Sequence, residues 1–251
     1  MKRWWIGCSG FYYKGWKDRF YPAGLPMRQW FEYYCRYFNT VELNVTFYRF
    51  PKPADLKGWY ERSPADFRFT VKAPRLITHF KRFHNAKRET SDFYLSVREG
   101  LEDKLGTVLF QLHPGIAYSD ENLARIVETM DSSFTNAIEF RHESWWRPQV
   151  YEDLKSEAIS FCGISYPGLP EEVVKTAAAV YYRFHGVPRL YLSTYQSKKL
   201  KIIAQSLKHL RNVEDVYCYF NNDINVAAVR NAMTLRKIAL GTSVPDSAPT
   251  P

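Results

Sequence analysis

Eight short apolar runs, each rich in β-branched and aromatic residues, recur along this chain and constrain its fold more than any other feature. They cover residues 4–9, 40–44, 67–72, 107–112, 136–141, 159–165, 180–185 and 215–221. Most read as continuous apolar runs rather than as half-polar alternation, the pattern of parallel strands covered on both faces. Helical spacing fills the intervals. Residues 28–38 place Trp30, Phe31, Tyr34, Cys35 and Phe38 on one face, 89–105 carry Phe93, Val97 and Leu101, and 198–210 repeat Leu200, Ile203, Leu207 and Leu210. Ser119-Asp120 can cap a helix with Leu123, Ile126, Val127 and Met130 inward, Pro148 can open another, and 223–240 form a final amphipathic helix. After the sixth strand, Pro167, Gly168 and Pro170 predict a short or irregular helix. Eight strand–helix units imply an α/β chain closed as a single (β/α)8 TIM-type barrel of parallel strands. An open doubly wound sheet is the alternative, but no G-x-G-x-x-G follows the first strand. The barrel is expected over residues 1–240, with a Ser/Thr/Pro-rich disordered tail over 241–251.

Charge and aromatic content narrow the ligand classes. Lys and Arg number 35 against 26 Asp and Glu, a formal net charge of +9, and aromatic residues make up 17% of the 251 residues. Countercharge plus stacking surface suits nucleic acid or sugar phosphates, whereas a large core with a solubilising charge needs no such ligand. No apolar run approaches the roughly 20 residues of a membrane span. Gly7, Ser9, Gly10 and Lys14 interrupt the signal-like start, so a cytoplasmic protein is expected. Cys8, Cys35, Cys162 and Cys218 form no C-x-x-C pair and read as buried free thiols of a reducing compartment.

In a barrel of this kind the chemistry lies at the carboxyl ends of the strands. Because residues two apart share a face, the strand ends present Ser9, Glu42 with Asn44, Arg68 with Thr70 and Lys72, Gln111 with His113, Glu139 with Arg141, Ser165, Arg183 with His185, and Asn221. Buried polar groups in such number either pair with one another or face a wet cavity. The loops add Tyr12, Tyr13, Trp16, Phe47, Tyr48, Trp145, Trp146, Tyr191 and Tyr195, and the run from Lys81 to Arg88 adds a basic arm.

The same residues carry a resemblance. Ile6-Gly7-Cys8-Ser9-Gly10 with Trp16 and Phe20-Tyr21-Pro22, Thr40-Val41-Glu42-Leu43-Asn44, Thr46-Phe47-Tyr48, Lys72, and Ile77-Thr78-His79 match the YecE-like family. So do Gln111-Leu112, Glu139-Phe140-Arg141 with Ser144-Trp145, Arg183-Phe184-His185-Gly186 and Phe220-Asn221-Asn222. This domain-of-unknown-function group implies a TIM barrel and no settled activity. Its members commonly carry an Asp after strand six, where this chain reads Gly163-Ile164-Ser165-Tyr166, so no role is carried to that position.

Converged, Glu42 and Glu139 would face Lys72, Arg141 and Arg183, leaving the mouth at least one unit positive. An anionic, phosphorylated ligand is then expected, with DNA or RNA favoured and phosphodiester hydrolysis as the candidate reaction. Arg141 and Arg183 would clamp phosphate with Lys72 as a point charge, and Glu42 or Glu139 would act as general base. His79 and His185 would exchange protons near neutral pH. Ser9, Asn44, Gln111 and Asn221 would orient the ligand, and Trp16, Tyr48 and Tyr195 would stack on it. A divalent metal is disfavoured by the intruding cations, although Glu42, Glu139, His79 and His185 have suitable ligand types. A non-catalytic nucleic-acid binder and a sugar-phosphate isomerase or lyase are the competing expectations. Oligomeric state is not legible.

Overall fold

A computed structural model describes residues 2–241. Eight parallel strands form one sheet: β1 (Arg3–Cys8), β2 (Thr40–Leu43), β3 (Arg68–Lys72), β4 (Leu105–Gln111), β5 (Asn136–Glu139), β6 (Ser160–Ser165), β7 (Ala179–Phe184) and β8 (Asp215–Phe220). Their order, β1-β8-β7-β6-β5-β4-β3-β2, brings the first and second strands together as a closing seam. Among the described residues eight α-helices surround them: α1 (Trp30–Cys35), α2 (Val45–Tyr48), α3 (Pro53–Arg62), α4 (Lys87–Leu101), α5 (Asp120–Thr129), α6 (Pro148–Ser156), α7 (Ser197–His209) and α8 (Ala227–Leu240). The chain is the expected (β/α)8 TIM-type barrel. The C-terminal tail lies outside the described residues apart from Gly241. Among the described residues, no helix is long and apolar enough to cross a membrane.

The seam depends on a side chain rather than on a full ladder. Ser9 pairs with Glu42 through a single parallel bridge. Below it the buried Tyr34 hydroxyl accepts Cys8 N–H at 2.8 Å and donates to Thr40 O at 2.9 Å. Gly7 makes the wedge fit, since a Cβ there would meet Thr40 O at 2.3 Å and the Tyr34 hydroxyl at 2.7 Å. Tyr34→Phe leaves two buried backbone groups unpartnered and should cost about 2–4 kcal/mol. Urea denaturation checks this, and an unchanged midpoint would show that the hydroxyl does not hold the seam.

Two helices lack a periodic signature. In α3 Leu56 is the one buried residue, and Pro53 supplies the start at the first helical position. Gly100 of α4 admits α3, because a Cβ at Gly100 would stand 2.5 Å from Leu56 Cβ. The four-residue α2 is fixed by tertiary contact: the Thr46 hydroxyl lies 3.0 Å from Leu43 O and 2.6 Å from Lys72 O, tying the turn to the end of β3. Between β6 and β7 the chain runs through turns and bends without the expected short helix. Ser119 does cap α5, accepting Asn122 N–H at 3.1 Å.

The barrel interior is filled by Leu109, Ala137, Cys162, Ile164, Ala179, Tyr181, Tyr217 and Tyr219. These tyrosines satisfy their hydroxyls internally: Tyr219 meets Thr40 Oγ1 at 2.6 Å and Thr70 Oγ1 at 2.8 Å, and Tyr181 donates to Glu42 Oε2 at 2.6 Å. The layer above them is ionic. Cys8, Cys162 and Cys218 are buried free thiols, as expected, and Cys35 is half-buried.

Candidate functional site

The ionic layer begins at Arg183, near the end of β7 and 1% exposed. Its Nη1 donates to Glu139 Oε2 at 2.5 Å and its Nη2 to Glu42 Oε1 at 2.6 Å, so one guanidinium spans both carboxylates. Arg141 Nε donates to Glu139 Oε1, and its Nη2 lies 3.3 Å from His185 Nε2. The Arg141 guanidinium also stacks over the Tyr166 ring at 4.3 Å. Burial works to raise the Glu139 carboxyl, but the adjacent Arg141 and Arg183 outweigh it and hold the group well below the usual carboxylate range. Burial likewise opposes the charge on Arg183, and Glu139 and Glu42 overcome it, keeping the guanidinium ionised.

Over this layer opens a cavity of about 410 Å³ lined by Tyr13, Asn44, Tyr48, Lys72, Gln111, Arg141, Arg183, Tyr191, Asn221 and Asp223. Of the expected residues, Asn44, Tyr48, Lys72, Gln111, Arg141, Arg183 and Asn221 meet there. Glu42 and Glu139 do not line it, being fully buried under the two guanidiniums. Ser9 is buried at the β1–β2 bridge, and its hydroxyl has no hydrogen-bond partner.

Several expected roles change with this geometry. Arg183 is held by two glutamates through both terminal nitrogens, so the pairing expected between Arg183 and a phosphate is taken by carboxylates of the protein. Glu139, held ionised by two arginines, is a weak base. His185 is fully buried, and burial, helped by Arg141 and Arg183, pushes its imidazole down to about 3 against the pull of Glu139. His79 packs edge-on to Phe47 and His113, and burial together with Lys72 lowers it to about 4. Both shifts favour the neutral ring at neutral pH. Trp16 belongs to the core with Tyr13, Phe20 and Tyr21. Tyr195 is buried against Phe184 and Phe220, its hydroxyl accepting Gly186 N–H at 2.8 Å. Ser165 turns away from the mouth, its hydroxyl meeting those of Tyr195 and the carboxylate of Glu171. The basic arm is anchored by Phe83, buried against Phe110, and by Lys81, paired with Glu89, while Arg82, His84, Lys87 and Arg88 are exposed.

Asp223 is the cavity residue that sequence reading assigned to a helix start. Its signal was the Asn221-Asn222-Asp223 run ending the last strand. Burial raises its carboxyl, opposed by a hydrogen bond from its own backbone. With Asp223 included, Lys72, Arg141 and Arg183 face three carboxylates, which removes the expected positive excess. In an eight-stranded ring β4 stands opposite β8, so the strands that carry Lys72, Gln111 and Arg141 lie across from β8, which Asp223 follows, while Arg183 comes from β7 beside it.

A second cavity of about 430 Å³ adjoins the first and shares Tyr13 and Asn44 with it. Phe11, Tyr12, Phe31, Leu43 and Trp59 make its wall largely apolar. Among the described residues, no three His, Cys, Asp or Glu side chains gather in a way that could hold a metal ion.

A family model described as "Protein of unknown function DUF72" matches residues 5–251. The chain belongs to this DUF72 family. It is 27% identical over 266 residues to the UPF0759 protein YunF of Bacillus subtilis, covering 93% of each chain. It is 29% identical over 135 residues to the UPF0759 protein YecE of Escherichia coli K12, covering 53% of this chain and 49% of that one. A DUF72 crystal structure from Thermotoga maritima superposes with a TM-score of 0.86 at 29% identity, over 95% of this chain and 99% of that one. A DUF72 structure from Enterococcus faecalis, at 21% identity and TM-score 0.82, covers 99% of this chain and 98% of that one and shares the fold.

Proposed function

We propose that this DUF72 chain binds a small, anionic, hydroxylated molecule of sugar-phosphate type at the barrel mouth and transfers protons on it. The observation that carries the reading is the polarity of the cavity. Lys72, Arg141 and Arg183 bring cationic groups for a phosphate to the lining, Asp223 brings an acceptor for hydroxyl groups, and Asn44, Gln111 and Asn221 bring amides. About 410 Å³ suits a ligand of metabolite size. Proton transfer falls to Lys72, because Glu139, His79 and His185 are held in single protonation states near neutral pH.

Calorimetry with ribose 5-phosphate and with ribose tests this. The phosphorylated sugar should bind at least about tenfold more tightly, and Arg141→Met should remove most of that preference. Equal affinity for the two sugars, or no binding of either, would overturn the reading.

A second reading, nucleic acid, is favoured by the apolar cavity beside the polar one and by the exposed rings of Tyr12, Tyr48 and Phe80, with Arg75 over the last two. It requires single-stranded oligonucleotide affinity that falls steeply with salt. A flat salt response removes it.

A further inference from the structure

We propose that Lys72 is a nucleophilic amine that forms an imine with a phosphorylated aldehyde or ketone bound in the mouth cavity. The inference deepens the small-anion reading and rests on it. Lys72 ends β3, is 8% exposed, and lines the cavity. Its Nζ donates to the neutral amide of Gln111 at 2.7 Å and lies 4.0 Å from the centre of the Phe47 ring. Among the described residues no carboxylate forms an ion pair with it, because Glu42 and Glu139 are both engaged by guanidiniums.

The other buried lysine shows what a structural role looks like. Lys104 Nζ is surrounded by Tyr60 O, Ser63 O and Ser63 Oγ at 2.7–2.9 Å, which use all its donor capacity. Among the described residues Lys72 Nζ has one hydrogen-bond partner, and the side chain borders the cavity. A desolvated lysine next to other cations is the arrangement that frees an amine for attack on a carbonyl. Burial and the proximity of Arg183 push Lys72 down to about 7, against the opposing pull of Glu139 and Glu42. A large fraction of the neutral nucleophile is therefore present at neutral pH.

The rest of the wall suits this chemistry. The Lys72 nitrogen lone pair adds to the carbonyl carbon, forming a C–N bond while the oxygen takes the proton shed by nitrogen. The C–O bond then breaks, and water departs with the carbonyl oxygen and both amine protons. The product is the imine, which is protonated from solvent and becomes an electron sink for bond cleavage or proton loss at the adjacent carbon. Arg141, on the same side of the cavity, is placed to hold the phosphate. Thr46, bonded to the Lys72 carbonyl, carries Phe47 on the neighbouring position, so the β2–α2 turn positions the ring that keeps the amine dry.

The test is reduction with borohydride in the presence of dihydroxyacetone phosphate or glyceraldehyde 3-phosphate, followed by peptide mass mapping. The reduced adduct should concentrate on Lys72 by more than about tenfold over the exposed Lys155 and Lys201, and inorganic phosphate should suppress it. Lys72→Arg should abolish it, with circular dichroism reporting the fold of the variant. Competitive labelling of the wild type with fluorodinitrobenzene adds a readout that needs no ligand: Lys72 should react half-maximally near neutral pH, and exposed lysines only in strong alkali. Ribose 5-phosphate binding without Lys72 trapping would overturn the imine and leave the small-anion reading standing. Failure of both binding and trapping would overturn both. Trapping spread evenly over exposed lysines would count against Lys72.

Discussion

Arg183→Met should cost on the order of 4 kcal/mol of folding stability at neutral pH, the largest loss expected from a single side chain in the barrel mouth. The guanidinium is the shared counter-ion of Glu42 and Glu139, at 2.6 and 2.5 Å, and all three groups are buried. Methionine fills much of the volume but leaves Glu42 without a cation and Glu139 with Arg141 alone. The sign of the pH dependence follows. A buried carboxylate deprived of its cation has a folded-state pKa above the unfolded value, so its protonated form favours folding at low pH and that support is lost as pH rises. The deficit relative to wild type should therefore shrink from neutral pH towards about pH 5. Urea titrations of both proteins at several pH values measure it. Arg183→Lys should not rescue, because one ammonium lacks the fork that reaches two carboxylates. A deficit below about 1 kcal/mol would mean that water enters and solvates the pair.

Lys72→Met should act in the opposite direction and stabilise the fold by on the order of 3 kcal/mol below neutral pH while removing carbonyl trapping. Burial and Arg183 lower Lys72 from 10.5 to about 7. Between those values the unfolded chain binds a proton that the folded chain does not, so wild-type stability from this group rises with pH across that window. Below about 7 the folded protein carries the full burden of a protonated, desolvated amine. Methionine carries none. The stabilisation should therefore be greatest near pH 6 and fade towards about pH 10, a window above the lowered His79, whose own titration also responds to the loss of Lys72. A constant difference across that range would show that Lys72 titrates normally. The half-buried Gln111, whose carbonyl oxygen loses its donor, sits beside the cavity and can turn to water.

Much of the barrel was legible because a strand's side-chain period is strictly two. Along residues 67–72 alternation alone separates Phe67, Phe69 and Val71 from Thr70 and Lys72, and the structure sets the first three among the outer core and buries the polar pair within the barrel. The α3 helix was not legible, because a single buried Leu56 leaves no stripe to detect. Trp16 and Tyr195 resembled stacking residues because loop aromatics have the same composition whether they cover a ligand or close over a core. Arg141 and Arg183 stood in equivalent strand-end positions and both reach the cavity lining, yet Arg141 is engaged by Glu139 alone whereas Arg183 spans two glutamates.

The alternation of eight apolar runs with helical spacing determined a parallel α/β fold covered on both faces, and the count of eight units together with the missing G-x-G-x-x-G favoured the closed barrel over an open doubly wound sheet. It also placed Lys72, Gln111, Arg141, Arg183 and Asn221 at one end, since the direction of parallel strands is common to all. Which charges cancel there was decided by tertiary structure alone. Arg183 meets Glu139 across 44 residues of sequence and Glu42 across 141, and Asp223 enters from the far side of the ring. Electrostatic pairing depends on distance in space and on burial, and local sequence carries neither.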